Sequence, residues 1–132
     1  MAASAVLADS SYYISLLRQG QDPLRALALA AATRDLAICG VIRCEVGRAL
    51  RPERVRQRFR EFWDVMINVP SDNRLWEAVE QTAWELDREG KVLPLTDLII
   101  ACSARRIGAA VLTYDQHFSR IPGLRVIHSL ES

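Results

Sequence analysis

Four acids stand where carboxylates could do chemistry: Asp9, Glu45, Asp97 and Asp115. Asp9 ends the apolar run Val6-Leu7-Ala8, and Asp115 follows the run from Ala110 to Tyr114. Asp97 opens a segment of helical character. Glu45 lies in the first turns of another helical segment, one position from its apolar side. Carboxylates brought within a few ångströms of one another repel, so either they take up protons or a cation sits among them. A hard, oxygen-seeking cation suits such a set, and Mg²⁺ held by few carboxylates keeps several of its waters. Such an ion ionises a bound water and offsets charge on a phosphate. Each acid alone also has a plain structural role. Asp9 or Ser10 can cap a helix, Asp97 is favoured by the dipole at a helix start, Asp115 can cap a short turn, and Glu45 can lie on a solvated flank. The conjunction is what points to a site.

The rest of the chain offers no competing apparatus. His117 and His128 are the only histidines, whereas acid–base cleavage without a metal wants an acid and a base close together. His128 follows the last strand and reads as a surface residue. His117 lies nearer the acids, where an imidazole could supply a proton. The arginines Arg51, Arg54, Arg56, Arg58 and Arg60 read as a solvated helix face, with RNA phosphates or an acidic partner segment as the alternatives. Trp63, Trp76, Trp84, Tyr12 and Tyr13 read as core or dimer contacts.

The elements that must position the acids are short strands alternating with helices. Val6–Ala8 reads as a buried strand, and a helical face runs from Tyr12 to Leu17 and stops at Gly20. Pro23 opens a helix carrying Leu24, Leu27, Ala28 and Ala31. Leu36–Cys39 is a second strand, closed by Gly40. Helices follow over Val41–Leu50, with Val41, Ile42, Val46, Ala49 and Leu50 on one side, and over Arg54–Trp63. Val65–Val69 is a third strand. Asp72–Glu89 is the clearest helix, capped by Ser71, ended by Gly90 and striped by Leu75, Trp76, Val79, Ala83 and Leu86. Thr96 and Asp97 open another helix, which Gly108 closes. Ala110–Tyr114 and Arg125–Ile127 are the last strands, with a turn at Asp115–Phe118 between them. Continuous apolar strands joined by helices predict a parallel sheet covered on both faces, hence one three-layer α/β/α domain over residues 1–132 with a mostly parallel sheet. In such a sheet the site lies beyond the carboxyl ends of the strands.

Placed in this order, the pieces resemble the PIN-domain family, and within it the VapC-like toxin ribonucleases of toxin–antitoxin pairs. The resemblance rests on Val6-Leu7-Ala8-Asp9-Ser10-Ser11 and on Arg43-Cys44-Glu45-Val46. It rests most on the run Leu95 to Ala104 and on Val111-Leu112-Thr113-Tyr114-Asp115-Gln116-His117-Phe118. It implies a metal-dependent endoribonuclease in which Asp9, Glu45, Asp97 and Asp115 hold Mg²⁺ or Mn²⁺. Thr113 then supports the site and Ser10 lies beside the first acid. It further implies RNA as substrate, a homodimer and a cognate antitoxin. One departure stands out: many relatives carry a further acid shortly after the fourth, where this chain reads Gln116-His117, which bears on a second metal position.

Bulk composition fits that reading. The chain has 132 residues, half apolar and a quarter charged, and a net charge of +1 that excludes a polycation built to coat nucleic acid. Charge is uneven: seven arginines lie between Arg43 and Arg60, and eight acids between Glu61 and Gly90. The cysteines Cys39, Cys44 and Cys102 form no Cys-x-x-Cys pair and sit among apolar residues, which predicts reduced, buried thiols. No signal peptide is visible and no apolar run is long enough to span a bilayer, so a soluble, cytoplasmic protein is expected. Two rivals remain. A phosphoacceptor domain or aspartyl phosphatase wants an acid where Ser11 stands, or paired acids with a late lysine. A catalytically silent PIN-like binding module would act through a partner alone, and the presence of all four acids argues against it.

Overall fold

The computed structural model describes residues 4–130. Its centre is a five-stranded sheet in the order β3-β2-β1-β4-β5, with every neighbouring pair parallel. The strands are β1 (Ala5–Ala8), β2 (Asp35–Cys39), β3 (Ile67–Val69), β4 (Ala110–Leu112) and β5 (Val126–Ile127). The helices are α1 (Ser10–Arg18), α2 (Pro23–Ala30), α3 (Gly40–Gly47), α4 (Glu53–Asp64), α5 (Asn73–Arg88) and α6 (Leu95–Arg106), with a 3-10 helix at Gln116–Arg120. Side chains of a strand alternate between faces, yet Val6, Leu7 and Ala8 are all buried, as are Ala110, Val111 and Leu112. Both faces of the central strands are therefore covered by helices, as the alternation of elements predicted.

From β1 the chain steps outward through β2 to β3, then returns to the other side of β1 for β4 and β5. The strand order thus reverses between β1 and β4, and a crevice opens there at the carboxyl ends of the strands. Val6 pairs with Ala110 and Ala8 with Leu112, so the residues after Ala8 and Leu112 emerge side by side. A backbone bond from Asp9 N–H to the Leu112 carbonyl (3.0 Å) extends the pairing to the rim.

Helix α6 passes behind this rim. It is buried continuously from Leu98 to Ala104 and packs on α5, α3, β2 and β4. A helix apolar on every side belongs in a core, and here it fixes the end that carries Asp97. Gly108, at φ +67°, takes the left-handed turn after α6, where the Ala109 N–H caps the Ala104 carbonyl and the chain enters β4.

Several local expectations need correction. Asp72, not Ser71, caps α5, accepting from the Leu75 N–H at 3.1 Å. Trp76 faces solvent, and Thr82 takes a place in the buried stripe of α5. The third strand starts at Ile67 because Val65 is exposed in the preceding turn. The fourth strand ends at Leu112, which frees Thr113 to turn into the site. Ala28 and Ala31 are exposed, leaving Leu24 and Leu27 as the inward face of α2. Cys39 and Cys102 are buried, but Cys44 is exposed, because it lies on the outward side of α3 opposite Ile42 and Val46. Among the described residues no helix is long and apolar enough to cross a membrane.

Candidate active site

Asp9 is the residue between β1 and α1, and its side chain is buried. One oxygen, Oδ1, accepts from the Ser11 N–H (2.8 Å), the Ser11 hydroxyl (2.6 Å) and the Tyr12 N–H (3.3 Å). That is the capping role read from the sequence. The other oxygen, Oδ2, accepts from the Thr113 hydroxyl at 2.7 Å, across the crevice. Burial pushes the Asp9 carboxyl above its ordinary value, and these four hydrogen bonds pull it back.

Thr113 is fully buried and ties β1 to β4. While its hydroxyl donates to Asp9, its oxygen accepts from the Asp115 N–H at 2.8 Å. Ser11 adds a second tie, since its oxygen accepts from the Tyr114 N–H at 3.1 Å and lies 3.2 Å from the Thr113 hydroxyl. Asp115 caps the 3-10 helix by accepting from the His117 N–H at 2.9 Å.

Asp97 lies in the first turn of α6 but makes no capping bond to it. Its carboxylate turns instead to His117, whose Nδ1 is 3.3 Å from Asp97 Oδ2 and 3.4 Å from Asp115 Oδ1. Asp97, Asp115 and His117 each offer one ligand atom, and these atoms lie within 4.8 Å of one another. Burial raises the Asp97 carboxyl above its ordinary value; contact with His117 lowers it, and the charges of Asp115 and Asp9 raise it further.

Glu45, on α3, reaches the rim by a different route. Its Oε1 accepts from the Ser10 hydroxyl at 2.6 Å, so the first residue of α1, next in sequence to Asp9, holds the carboxylate. The structure therefore brings Asp97 and Asp115 together directly and joins Asp9 to Asp115 through Thr113. Glu45 enters through Ser10, and neither it nor Asp9 belongs to the tight three-residue cluster. Two participants exceed what the residues alone suggested. Ser11 binds Asp9, Thr113 and Tyr114 at once, and the only cue was its place in the cap after Asp9. His117 occupies the space between two acids; its cue was its position two residues after Asp115, where an Asp-capped turn folds a side chain back.

The donor set fits a divalent cation. It offers oxygen atoms and one imidazole nitrogen, partly open to solvent, with carboxylate repulsion that a positive ion would relieve.

The fold agrees with that of known proteins. A model of the PIN domain matches residues 6–124, and the chain belongs to that family. No curated protein sequence matches the chain. Among solved structures, DNA-bound VapBC from Salmonella typhimurium is similar with a TM-score of 0.77 at 23% identity, covering 94% of this chain and 97% of that one. VapBC-5 from Mycobacterium tuberculosis, a member of the VapBC family of toxin–antitoxin systems, has a TM-score of 0.64 at 21% identity, covering 96% and 99%. VapC20 of the same organism, a toxin that cleaves the sarcin–ricin loop, has a TM-score of 0.62 at 14% identity, covering 89% and 95%.

Proposed function

We propose that the chain is a metal-dependent endoribonuclease and the toxin of a toxin–antitoxin pair. The observation that carries the reading is the convergence of Asp97, Asp115 and His117 at the switch point of a PIN fold, with Asp9 and Glu45 fastened alongside. Asp97 and Asp115 would hold Mg²⁺ or Mn²⁺, with Asp9 and Glu45 completing the negative field. When bound, the cation would make an attached water more acidic than bulk water and offset charge on the phosphate. The chain's own residues do the positioning. Thr113 keeps Asp9 and the Asp115 backbone at a fixed spacing, and Ser10 keeps Glu45 turned to the rim. His117 stands against both cluster carboxylates, in the Gln116-His117 stretch where the resemblance leads one to expect a further acid.

The partners follow from the same reading. RNA is the substrate, a cognate antitoxin silences the enzyme, and a second copy of the chain completes a homodimer. Support for the antitoxin comes from the VapBC relatives. Support for an apolar contact between copies comes from Trp76 and Trp84 on α5, 46% and 55% exposed.

Purified protein incubated with total cellular RNA tests the proposal, with Mg²⁺ or Mn²⁺, with a chelator, and with Asp97→Asn in parallel. Cleavage that needs the cation and disappears in the variant is the expected result. Cleavage that survives both controls would exclude this site. A protein that cleaves nothing, and whose cellular effect is unchanged by Asp97→Asn, would be the silent binding module instead.

A further inference from the structure

At the end of β4 lies a cavity of about 440 Å³ whose lining mixes Tyr12, Tyr114, Arg34 and His128 with apolar Leu29 and Leu130 and includes none of the four acids. Tyr114 sits between Thr113 and Asp115, so its Cα is about 3.8 Å from that of Asp115. Although Thr113 is fully buried, Tyr114 is 48% exposed. A single exposed aromatic is ordinary, but this one is built in. Its ring stacks on that of Tyr12, with centroids 5.7 Å apart and planes 24° from parallel. Tyr12 is itself buried and rests edge-on against buried Tyr13, so the lower ring belongs to the core. The backbone is held too, because the Tyr114 N–H donates to the Ser11 hydroxyl. Among the described residues no ring other than Tyr12 stacks on Tyr114. The result is a rigid aromatic surface with one side backed by protein, next to the residue that holds the candidate cation.

The cavity that both rings line also carries polar groups able to hydrogen-bond a base edge. His128 Nδ1 is 2.8 Å from the Thr113 carbonyl, which can only accept, so Nδ1 bears the proton and Nε2 is the ring's remaining nitrogen. Arg34 brings a guanidinium, and no carboxylate among the described residues forms an ion pair with it.

We propose that Tyr114 is a stacking platform for an unpaired nucleobase of single-stranded RNA, adjoining the phosphate that faces the acids. The inference rests on the nuclease reading and adds to it a residue that positions the RNA. Every base has a π-face, so stacking alone tolerates sequence, but a base held inside a duplex is not available to stack on a protein ring. The base on Tyr114 is accordingly an unpaired one, with Arg34 and His128 of the same cavity available to its edge.

The test scans 2-aminopurine through a single-stranded RNA nine-mer in Mg²⁺, on an Asp97→Asn background so that the RNA survives. Binding is read by anisotropy, and stacking by quenching of the probe. At one position the parent and Tyr114→Phe should both quench, while Tyr114→Ala should lose the quench and bind about tenfold more weakly. An abasic nucleotide at that position should weaken the parent by the same factor and Tyr114→Ala no further. The matching duplex should do neither. Thermal melting of Tyr114→Ala, set beside Tyr114→Phe, which keeps the Tyr12 stack, separates binding from folding. Equal quenching and affinity in Tyr114→Ala would remove the platform and leave the nuclease reading standing, as would a parent that binds no single strand but whose active form cleaves duplex RNA. A chain that binds through Tyr114 but never cleaves RNA with any cation would keep the platform and remove the nuclease.

Discussion

Asp9 and Asp97 stand at one rim and are held in opposite ways. Asp9 accepts four hydrogen bonds from neutral donors, divided over both of its oxygens, and its position is settled by Ser11, Tyr12 and Thr113. Asp97 takes nothing from its own helix and faces His117 and, beyond it, Asp115. A carboxylate fixed by neutral donors keeps its place whether or not a cation is present. A carboxylate opposed by another stays charged there only with positive charge between them. One side of the site is therefore scaffold, and the other is where the charge of the proposed cation would be needed.

That contrast fixes the largest expected effect. Asp97→Asn should lower cation-dependent cleavage by more than the roughly 100-fold that loss of an outer-shell partner costs at a metal site. The fold should survive, because Asp97 makes no bond that α6 needs. Cleavage rates and circular dichroism check both halves. An unfolded variant would mean that Asp97 is scaffold after all, and the two sides would not differ.

The next effect falls on the other side. Thr113→Val strips a donor from Asp9 and an acceptor from the Asp115 N–H, and the residue is fully buried. Each group left unpaired costs about 1–3 kcal/mol, so urea melts should show a clear loss without any cation present. Thr113→Ser keeps the hydroxyl and should recover most of that loss. If Thr113→Val instead leaves the melt unchanged and only weakens cation binding, Asp9 is not held as scaffold.

How much of this could be read from residues alone divides along the same line. The apolar runs ending at Asp9 and near Asp115, with the rule for parallel sheets, were enough to place acids at the carboxyl ends of strands. Burial on both faces left no alternation to confuse the strands with surface ones. Ser71 and Asp72 are adjacent residues that both cap well, and only backbone geometry chooses between them. Val65 looks like strand and is exposed, because hydrophobicity alone does not say where a turn ends. The ties across the crevice were illegible for a stronger reason. Ser11 and Thr113 meet across 102 positions, and which hydroxyl faces which carboxylate is set by the register of β1 with β4 rather than by any local pattern.

A smaller effect lies between the two sides, at Glu45. Ser10→Ala removes the 2.6 Å bond that turns this carboxylate to the rim. Cation affinity, by calorimetric titration, should fall about tenfold, the low end for an outer-shell partner. Glu45→Gln should also weaken cation binding while leaving the fold intact. A large drop in thermal stability of Glu45→Gln without cation would contradict this, since removing a negative charge from a crowded rim does not unfold it.

The smallest effect is in the pH dependence of the cation-free protein. Asp9 and Asp97 both hold their protons to higher pH in the fold than in the unfolded chain, chiefly through burial. Between the ordinary carboxylate range and their raised values the folded state binds more protons. Stability from these two groups is thus complete below the ordinary range and is lost as pH rises through the raised values. Other acids act in the opposite sense: Asp72 is lowered to about 2 by its bond with the Arg106 guanidinium, and Asp22 is lowered by Arg58. The absolute slope therefore mixes both kinds, and the informative quantity is the difference between the parent and Asp97→Asn in chelator. The variant should gain on the parent as pH rises above the ordinary carboxylate range, because only the parent must ionise a carboxyl facing Asp115 and Asp9. Saturating Mg²⁺ should abolish that gain, since a cation that binds the parent more tightly than the variant stabilises it more. A gain that persists in Mg²⁺ would show that the ion does not sit against Asp97.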